Sequence, residues 1–345
     1  MRPITVPFFI SHQGCLHQCV FCNQERIAGT VGGIPDGEAL RAKVGAYRET
    51  SGGNPVEVAF FGGSFTAIPS DDQERLLGPL QPLRERGEVS RIRISTRPDA
   101  IDSEHLAWLR GMGVATVEIG IQSMDDAVLE RSGRGHTAAQ VVTACRLVKE
   151  AGMTLGAQLM PGLPGDTPAL SMASLHEVLS LYPDFLRIYP TLVIAETRLA
   201  ELYRTGEYIP LSLAGAVTLC KTLLRAALVA GVPVIRIGLQ PTSELDCDGS
   251  VLAGPYHPAF RQLVEGELCL DLCRKLTTGL PQGTGVTIFC APPRVSDVAG
   301  QRRYNLEALH RDGVHVTSII ADPDLPHQEL RVEAGVICRR GNLLE

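Results

Sequence analysis

The stretch Val6-Pro-Phe-Phe-Ile-Ser-His-Gln-Gly-Cys15-Leu-His-Gln-Cys19-Val-Phe-Cys22-Asn23 joins an apolar run to three closely spaced cysteines. The run predicts a buried strand, and the cysteines that follow it have the spacing C-x3-C-x2-C. Three thiolates on one short loop can bind three irons of a [4Fe–4S] cluster, which normally takes four cysteine ligands. The next cysteine is Cys145, so one iron lacks a nearby protein ligand. An open metal position is where a substrate or cofactor binds, and the triplet therefore predicts chemistry at a metal centre.

Zinc is the main alternative for the triplet, because structural zinc takes four ligands that commonly come from two paired groups. His12 or His17 could complete a site with the three cysteines, yet both can equally be loop residues that hydrogen-bond to the backbone. The second Cys-x2-Cys pair of such a zinc site is missing from the sequence. The spacing therefore favours an iron–sulfur cluster over structural zinc.

Composition narrows the class of protein. The 345 residues include ten cysteines and have a formal net charge of −6. Disulfide frameworks are typical of short secreted chains, and nothing at the start of this sequence resembles an export signal. The longest apolar stretches fall short of a membrane span. We therefore expect reduced thiols, a cytoplasmic location and no membrane partner.

The negative net charge of the chain gives no overall attraction to nucleic acid, although local basic patches are compatible with it.

The first two-thirds of the chain repeats a short apolar run, a polar or Gly-rich turn and a helical stretch. Such alternation predicts βα units around a parallel sheet. Six units are fewer than the eight of a closed barrel, so we predict an α/β fold with an open, partial (β/α)6 barrel. The predicted strands cover residues 6–11, 56–61, 91–96, 116–122, 154–160 and 185–189. The predicted helices cover residues 37–50, 71–86, 103–111, 137–151 and 169–181.

After about Thr191 the alternation of apolar runs and helical stretches becomes less regular. A helix over 213–230 leads to a strand over 233–238, and short β-like runs follow over 285–290 and 314–320. Gly- and Pro-containing loops separate these runs, which predicts a smaller α+β extension at the C-terminal end. We expect two domains, a core over 1–240 and an extension over 241–345.

The distinctive residues stand where the predicted strands end. Barrel enzymes place their active sites at the C-terminal ends of their strands, so one edge of the sheet would collect every unusual motif. Glycines in such a place let backbone groups approach a ligand closely. The motifs are the cysteine loop, Gly62-Gly63-Ser64, Thr96-Arg97-Pro98-Asp99, Glu118 with Gln122, Gln158, and Pro161-Gly162-Leu163-Pro164-Gly165.

Glu118 and Gln122 are four residues apart, so on an extended strand they point to the same side. Polar groups inside a barrel are costly unless they are paired or used. Arg134 could bind a ligand carboxylate in a bidentate manner. The structural alternative is an ion pair between Glu118 and Arg134 inside the protein.

A second Cys-x3-Cys occurs at Cys269 and Cys273, with Cys290 further on. On a helix the first two would be neighbours and could be small buried apolar residues. An auxiliary cluster that uses all three cysteines is the alternative.

Together these residues resemble the radical S-adenosylmethionine (radical SAM) enzymes. The triplet, with the aromatic Phe21 before its last cysteine, is similar to the signature of that superfamily. Longer runs resemble its branch related to the Elongator catalytic subunit. They are His12-Gln-Gly-Cys, Phe61-Gly-Gly-Ser-Phe-Thr, Ser95-Thr-Arg-Pro-Asp, Glu118-Ile-Gly-Ile-Gln-Ser-Met, Arg134-Gly-His-Thr, Met160-Pro-Gly-Leu-Pro-Gly-Asp, Arg187-Ile-Tyr-Pro-Thr and Gly254-Pro-Tyr-His-Pro-Ala-Phe.

The resemblance implies roles for single residues. Cys15, Cys19 and Cys22 would hold a [4Fe–4S] cluster whose open iron chelates SAM. Reductive cleavage of SAM would then give a 5′-deoxyadenosyl radical that abstracts hydrogen from a substrate. A low-potential flavodoxin or ferredoxin would donate the electron. The residues expected at SAM are Phe21, Gly62, Gly63, Ser64, Ser95, Gln122, Arg134 and Gln158.

Two departures limit the resemblance to the Elongator subunit. That subunit has a much longer gap between its first two cysteines. It also carries an acetyltransferase domain, and this sequence shows no glycine-rich run of the kind that binds acetyl-CoA.

Three hypotheses for the function follow. The first is radical chemistry on tRNA or another RNA, supported by a set of arginines as phosphate contacts: Arg91, Arg93, Arg97, Arg131, Arg134, Arg302 and Arg303. The second is the same chemistry on a small molecule or peptide. The third is a non-enzymatic iron–sulfur electron carrier.

Overall fold

The computed structural model describes residues 4–15, 17–28, 33–247 and 249–345. Seven parallel strands form one curled half-barrel in the order β1-β2-β3-β4-β5-β6-β8. This confirms the predicted partial barrel, with one strand more than the six expected. The strands are β1 (Ile4–Phe9), β2 (Val56–Phe61), β3 (Val89–Thr96), β4 (Val114–Gln122), β5 (Thr154–Leu159), β6 (Phe185–Ile188), β7 (Val193–Ile194), β8 (Val234–Ile237), β9 (Val251–Ala253), β10 (Gly285–Cys290), β11 (His315–Ala321), β12 (Glu329–Ala334) and β13 (Ile337–Asn342).

Helices follow most strands of the half-barrel. They begin at residues that cap them: Thr137 and Gln140 form a capping box before α7, and Asp102 accepts from the backbone of His105 before α5. The helices are α1 (Gln24–Ala28), α2 (Gly37–Thr50), α3 (Ser70–Leu77), α4 (Gln81–Glu85), α5 (Ser103–Gly111), α6 (Asp126–Arg131), α7 (Ala138–Glu150), α8 (Pro168–Ser180), α9 (Arg198–Arg204), α10 (Leu213–Val229), α11 (Ser243–Asp246), α12 (Phe260–Thr277), α13 (Val295–Ala299) and α14 (Tyr304–Arg311).

The single helix predicted over 71–86 was wrong. It is divided into α3, a 3₁₀ turn over Gly78–Leu80 and α4. Pro79 and Pro82 lie at the starts of the second and third pieces. Proline has no backbone N–H to donate, so it interrupts a continuous α-helical hydrogen-bond ladder and is tolerated in a first turn.

The two faces of the half-barrel differ in chemistry. On the outer face Phe8 and Phe60 are buried side by side, with ring centroids 5.8 Å apart. Leu40 and Val44 of α2 are buried as well. Side chains alternate along each strand, so Glu57 of β2 points to the opposite, inner face. The inner face is therefore where polar side chains collect.

The chain divides into two compact units. The first comprises Met1–Leu211, Val232–Ile235 and Leu239–Pro255. The second comprises Ser212–Gly231, Arg236–Gly238 and Tyr256–Glu345. The boundary expected at residue 240 stays a prediction.

The second unit contains a four-stranded mixed sheet in the order β11-β10-β12-β13. Helix α12 supplies buried residues such as Leu268 and Leu272. This arrangement confirms the predicted α+β extension. None of the helices in the described ranges is both long and apolar enough to cross a membrane.

Candidate functional site

The three cysteines lie on the loop that leaves the C-terminal end of β1. Cys15 is exposed, and Cys19 and Cys22 are half-buried. Backbone hydrogen bonds attach this loop to distant segments: the Val20 amide donates to the Ser132 carbonyl at 3.0 Å, and the Leu199 amide donates to the Val20 carbonyl at 2.7 Å. The position of the loop therefore depends on contacts made far along the chain.

The Gly62-Gly63-Ser64 turn after β2 interlocks with the cysteine loop. The Ser64 amide donates to the Gln13 carbonyl at 2.8 Å, and the His12 amide donates to the Gly62 carbonyl at 3.0 Å. Ser64 Oγ lies 3.7 Å from Cys15 Sγ. At Gly63 a Cβ would lie 2.5 Å from the Ile10 carbonyl oxygen, so this close packing excludes any side chain there.

Arg134 joins the wall of the site to a cysteine. It lies between α6 and α7 and is only 6% exposed. Its Nη1 donates to Cys19 Sγ at 3.2 Å, and its Nη2 donates to the Gly120 carbonyl at 2.5 Å. Among the residues that the structure describes, its buried Nε has no hydrogen-bond partner, a feature it shares with five other arginines. What distinguishes Arg134 is therefore its direct contact with a cysteine of the loop.

Gln122 and Gln158 are also brought together. Gln158 Nε2 donates to Gln122 Oε1 at 3.2 Å. Gln122 has a φ of 71° and follows a register irregularity at the end of β4, a backbone state that is uncommon for a residue with a side chain. Such strain occurs mainly where the surrounding structure imposes it, often at functional sites.

The last two residues expected at SAM lie in different surroundings. Ser95 is in register with Glu118 across β3 and β4 and is half-buried. Phe21 is buried in an apolar cluster with Val128, Leu163 and Tyr208. Cys19 and Cys22 pack against this cluster, so Phe21 supports the cysteine loop.

The thiol of Cys22 lies in an environment that disfavours its charged form. Burial, with the charges of Cys19 and Cys15 as smaller causes and an opposing hydrogen bond from Gln24, raises the pKa of Cys22 to about 12. Gln24 Nε2 donates to Cys22 Sγ at 3.4 Å. Thiolates in such a place need a cationic centre to hold them deprotonated.

The donor set fits a [4Fe–4S] cluster. It consists of three sulfurs, two of which accept N–H donors, beside the buried guanidinium of Arg134. Across the described part of the chain, no three His, Cys, Asp or Glu side chains are close enough to hold a single metal ion. A cluster requires less convergence because each cysteine binds a different iron.

The inner face of the half-barrel carries an ion-pair network that sequence analysis missed. Glu57 accepts from Arg91 and Arg93, each at 2.6 Å. Arg93 also donates to Glu118 at 2.7 Å, and Arg187 pairs with Glu118 at 3.1 Å. The ion pair between Glu118 and Arg134, left open above, is not what forms, because Glu118 is occupied by these two arginines. Glu57 and Arg93 each interrupt the apolar pattern of a strand, and a charged side chain in such a place was the signal in the sequence for a buried ion pair.

Comparison with protein families identifies the chain. The model of the radical SAM superfamily matches residues 9–172, and the model of the radical SAM C-terminal domain matches residues 183–269. The two matches cover most of the chain. The chain belongs to the radical SAM superfamily. It is an enzyme of the radical SAM class, a class that binds a [4Fe–4S] cluster and SAM.

Curated relatives place the chain near the Elongator branch of the radical SAM superfamily. It is 29% identical over 177 residues to the tRNA uridine(34) acetyltransferase of Methanocaldococcus jannaschii, which covers 46% of this chain and 33% of the relative. It is 32% identical over 189 residues to Elongator complex protein 3 of Danio rerio, which covers 49% of this chain and 34% of the relative. The chain thus spans about a third of the length of the curated relatives it matches.

A solved structure shows the same radical SAM fold. The archaeal Methanocaldococcus infernus Elp3 with an N-terminal deletion superimposes with a TM-score of 0.59 at 22% identity. The match covers 77% of this chain and 63% of that one. At 22% sequence identity, this similarity is evidence about the fold alone.

Three of the seven arginines expected to contact phosphate are internal in this radical SAM core. Arg97 is 3% exposed and Arg134 is 6% exposed, and Arg93 is held between two glutamates. Buried and paired guanidinium groups cannot meet the backbone of a nucleic acid. The other four, Arg91, Arg131, Arg302 and Arg303, are exposed, although Arg91 is paired with Glu57.

Cys269, Cys273 and Cys290 are buried in the second unit. Burial raises the pKa of Cys273 to about 12 and that of Cys290 to about 11. Cys269 and Cys273 lie among the buried leucines of α12, and Cys290 is a buried position of β10, which favours the interpretation as small apolar core residues over an auxiliary cluster.

Proposed function

We propose that Cys15, Cys19 and Cys22 hold the [4Fe–4S] cluster of this radical SAM enzyme and that it acts on tRNA. One observation carries the cofactor assignment: the buried guanidinium of Arg134 donates to Cys19 Sγ and therefore lies directly beside the cysteine loop. A carboxylate is the ligand that such a donor prefers, and SAM has a carboxylate next to the amine that chelates the open iron.

The chain's own residues would bind and orient the cofactors. The Gly62-Gly63-Ser64 turn presents backbone groups beside Cys15, and Ser95, Gln122 and Gln158 provide polar groups for the sugar and amino-acid parts of SAM. Arg134 would hold the carboxylate. Bound there, the cluster and SAM would supply reductive, one-electron cleavage of SAM and hydrogen abstraction from the substrate. Phe21 and its apolar neighbours would keep water from the cluster.

Enzymes of this family need a reductant. Within the proposal this is a low-potential flavodoxin or ferredoxin, and the location is cytoplasmic, where thiols stay reduced. Membership of an enzyme superfamily favours the enzyme hypotheses over the electron-carrier hypothesis.

The decisive experiment for the chemistry is an anaerobic assay. The protein is reconstituted with iron and sulfide, reduced with dithionite and given SAM, and 5′-deoxyadenosine is measured by chromatography. Wild type and Cys145→Ala, which lacks a buried thiol outside the site, should both produce 5′-deoxyadenosine. Cys19→Ala should not, because one iron loses its ligand. Equal yields from wild type and Cys19→Ala would refute the assignment.

The tRNA substrate is supported by the curated relative that is a tRNA uridine(34) acetyltransferase. The test is a filter-binding titration of the reconstituted protein with bulk tRNA at several salt concentrations. We expect an affinity that falls as salt rises, because phosphate contacts release counterions. The double variant Arg302→Ala/Arg303→Ala should bind tRNA more weakly than wild type. Arg198→Ala, which removes an exposed ion-paired arginine, should bind tRNA as wild type does.

A comparison of tRNA nucleosides and metabolites between a deletion strain and its parent completes the test. Loss of a modified nucleoside would support the proposal. A changed metabolite with unchanged nucleosides, or no salt-dependent tRNA binding, would favour the small-molecule or peptide hypothesis.

A further inference from the structure

The Thr96-Arg97-Pro98-Asp99 motif at the end of β3 has no role in the function proposed above. Arg97 is nevertheless buried, with 3% exposure. Its Nε donates to Asp99 Oδ1 at 2.9 Å, and its Nη2 donates to Asp99 Oδ2 at 3.1 Å. This bidentate pair fixes the plane of the guanidinium.

The same Nη2 also donates to the backbone carbonyl of Arg134. Arg134 stands between Gly133 and Gly135, whose φ angles are 65° and 69°. Two glycines in the left-handed region give this loop a backbone with many accessible conformations. The Arg134 amide donates to the Leu129 carbonyl at 3.0 Å, so Arg97 supplies the anchor on the carbonyl side.

The far end of Arg134 reaches the cysteine loop and β4 through Cys19 Sγ and the Gly120 carbonyl. A continuous series of hydrogen bonds therefore runs from Asp99 through Arg97 and Arg134 to Cys19. Thr96, next to Arg97, shares a 2.6 Å hydrogen bond with Thr66, which follows the Gly62-Gly63-Ser64 turn. The end of β3 thus contacts both the arginine and the glycine-rich turn.

We propose that Arg97 and Asp99 are positioning residues that set the guanidinium of Arg134 between Cys19 and the carboxylate of SAM. The proposal rests on the function proposed above. Arg97 acts through Arg134 in this proposal, since its Nε and Nη2 donate to Asp99 and to the Arg134 carbonyl. Its burial also separates it from any nucleic acid.

The test measures SAM binding apart from turnover. Arg97→Met, Arg97→Lys and Asp99→Asn are reconstituted anaerobically beside wild type. The dissociation constant for SAM is measured by equilibrium binding, and the electron paramagnetic resonance spectrum of the reduced cluster is recorded with and without SAM. Arg110→Met is the matched control, because Arg110 donates to the Ala151 carbonyl at 2.7 Å on an exposed surface away from the site.

We expect Arg97→Met to incorporate wild-type amounts of iron but to bind SAM about tenfold more weakly, the equivalent of one hydrogen bond to a charged group. The spectral change on adding SAM should shrink in parallel. Arg97→Lys keeps one charged donor and should fall between Arg97→Met and wild type. Asp99→Asn leaves Arg97 less firmly oriented and should also weaken binding, while Arg110→Met should match wild type.

Wild-type SAM affinity and wild-type spectra in Arg97→Met and Asp99→Asn would overturn the proposal. If wild type itself took up no cluster or bound no SAM, the proposed function would fail instead. Because Arg97→Met leaves the Asp99 charge unpaired, the double variant Arg97→Met/Asp99→Asn is included. Loss of the folded circular dichroism spectrum in the single and the double variants would contradict the proposal as well, since the pair would then be structural.

Discussion

His136 and Arg134 belong to the same short loop and differ in how they tolerate burial. Arg134 donates to Cys19 Sγ and to the Gly120 carbonyl. His136 Nε2 lies 3.3 Å from the Ile121 carbonyl, and its Nδ1 has no hydrogen-bond partner among the residues that the structure describes. Burial, with the positive charge of Arg134 as a second cause, lowers the pKa of His136 from 6.5 to about 3. The neutral ring is therefore the form that the fold accepts.

This pKa predicts an acid sensitivity. An unfolded His136 binds a proton near pH 6.5, whereas the folded ring does so only near pH 3. Its contribution to stability is thus complete above pH 6.5 and is lost as the pH falls toward 3. At pH 5 the loss is at most about 2 kcal/mol. Urea unfolding at pH 7.5 and pH 5 should show a smaller decrease for His136→Gln than for wild type.

His176→Gln, which replaces an exposed histidine of α8, is the control and should keep the wild-type decrease. An equal decrease in His136→Gln and wild type would show that other groups cause the acid sensitivity.

The loops that follow β1 and β2 act as one unit because their backbones touch. At Gly14, which has a φ of 69°, a Cβ would lie 2.4 Å from the Ser64 carbonyl oxygen. Together with the close approach at Gly63, this contact places Cys15 beside Ser64. The geometry of the cysteine loop is thus determined by a neighbouring loop about 50 residues later in the chain.

Gly14→Ala should therefore disturb the cysteine loop without touching a cysteine. The new Cβ collides with backbone atoms that cannot rotate away, and we expect a loss of about 1–3 kcal/mol in the free energy of unfolding. Iron bound per chain after reconstitution should fall in parallel. Urea titration and iron determination measure the two effects.

Gly45→Ala is the matched control, because a Cβ at Gly45 meets nothing within 4 Å. On α2 this change should stabilise the protein by about 0.5–1 kcal/mol. Full iron content and wild-type stability in Gly14→Ala would contradict the proposed contact between the loops.

Over the whole half-barrel, the inner face is held by charge rather than by apolar packing alone. Glu57 and Glu118 lie between Arg91, Arg93 and Arg187, and the guanidinium groups of Arg93 and Arg187 also lie over the rings of Phe185 and Phe61. The network links β2, β3, β4 and β6. Buried ion pairs of this kind cost desolvation free energy, so each member depends on the others.

Glu118→Ala should be strongly destabilising, because it leaves Arg93 and Arg187 buried with less compensating charge. We expect a loss of about 3–5 kcal/mol in the free energy of unfolding, measured by urea titration. Glu118→Gln, which retains an acceptor oxygen, should lose less. The control Glu150→Ala removes an exposed partner of Arg146 and should cost no more than about 0.5 kcal/mol. Similar losses in Glu118→Ala and Glu150→Ala would rule out a structural role for the network.

Local patterns were sufficient for most elements of the half-barrel. The predicted boundaries at 56–61, 37–50 and 103–111 coincide with β2, α2 and α5, because their apolar periodicity and caps are contained in the segments themselves. The β12–β13 hairpin was missed, although its turn begins at Gly335 with a φ of 58°. The β7–β9 pair was also missed, since it joins residues that are remote in sequence.

The sequence by itself determined the class of chemistry, because the three cysteines lie on one short loop and the family motifs stand at the ends of local strands. Only the tertiary structure decided which side chains work together. Glu57 meets Arg93 across 36 residues, and Arg97 meets the Arg134 carbonyl across 37. Such pairs depend on the register of parallel strands and on loops that pack against each other. These are non-local properties that no spacing of residues along the chain contains.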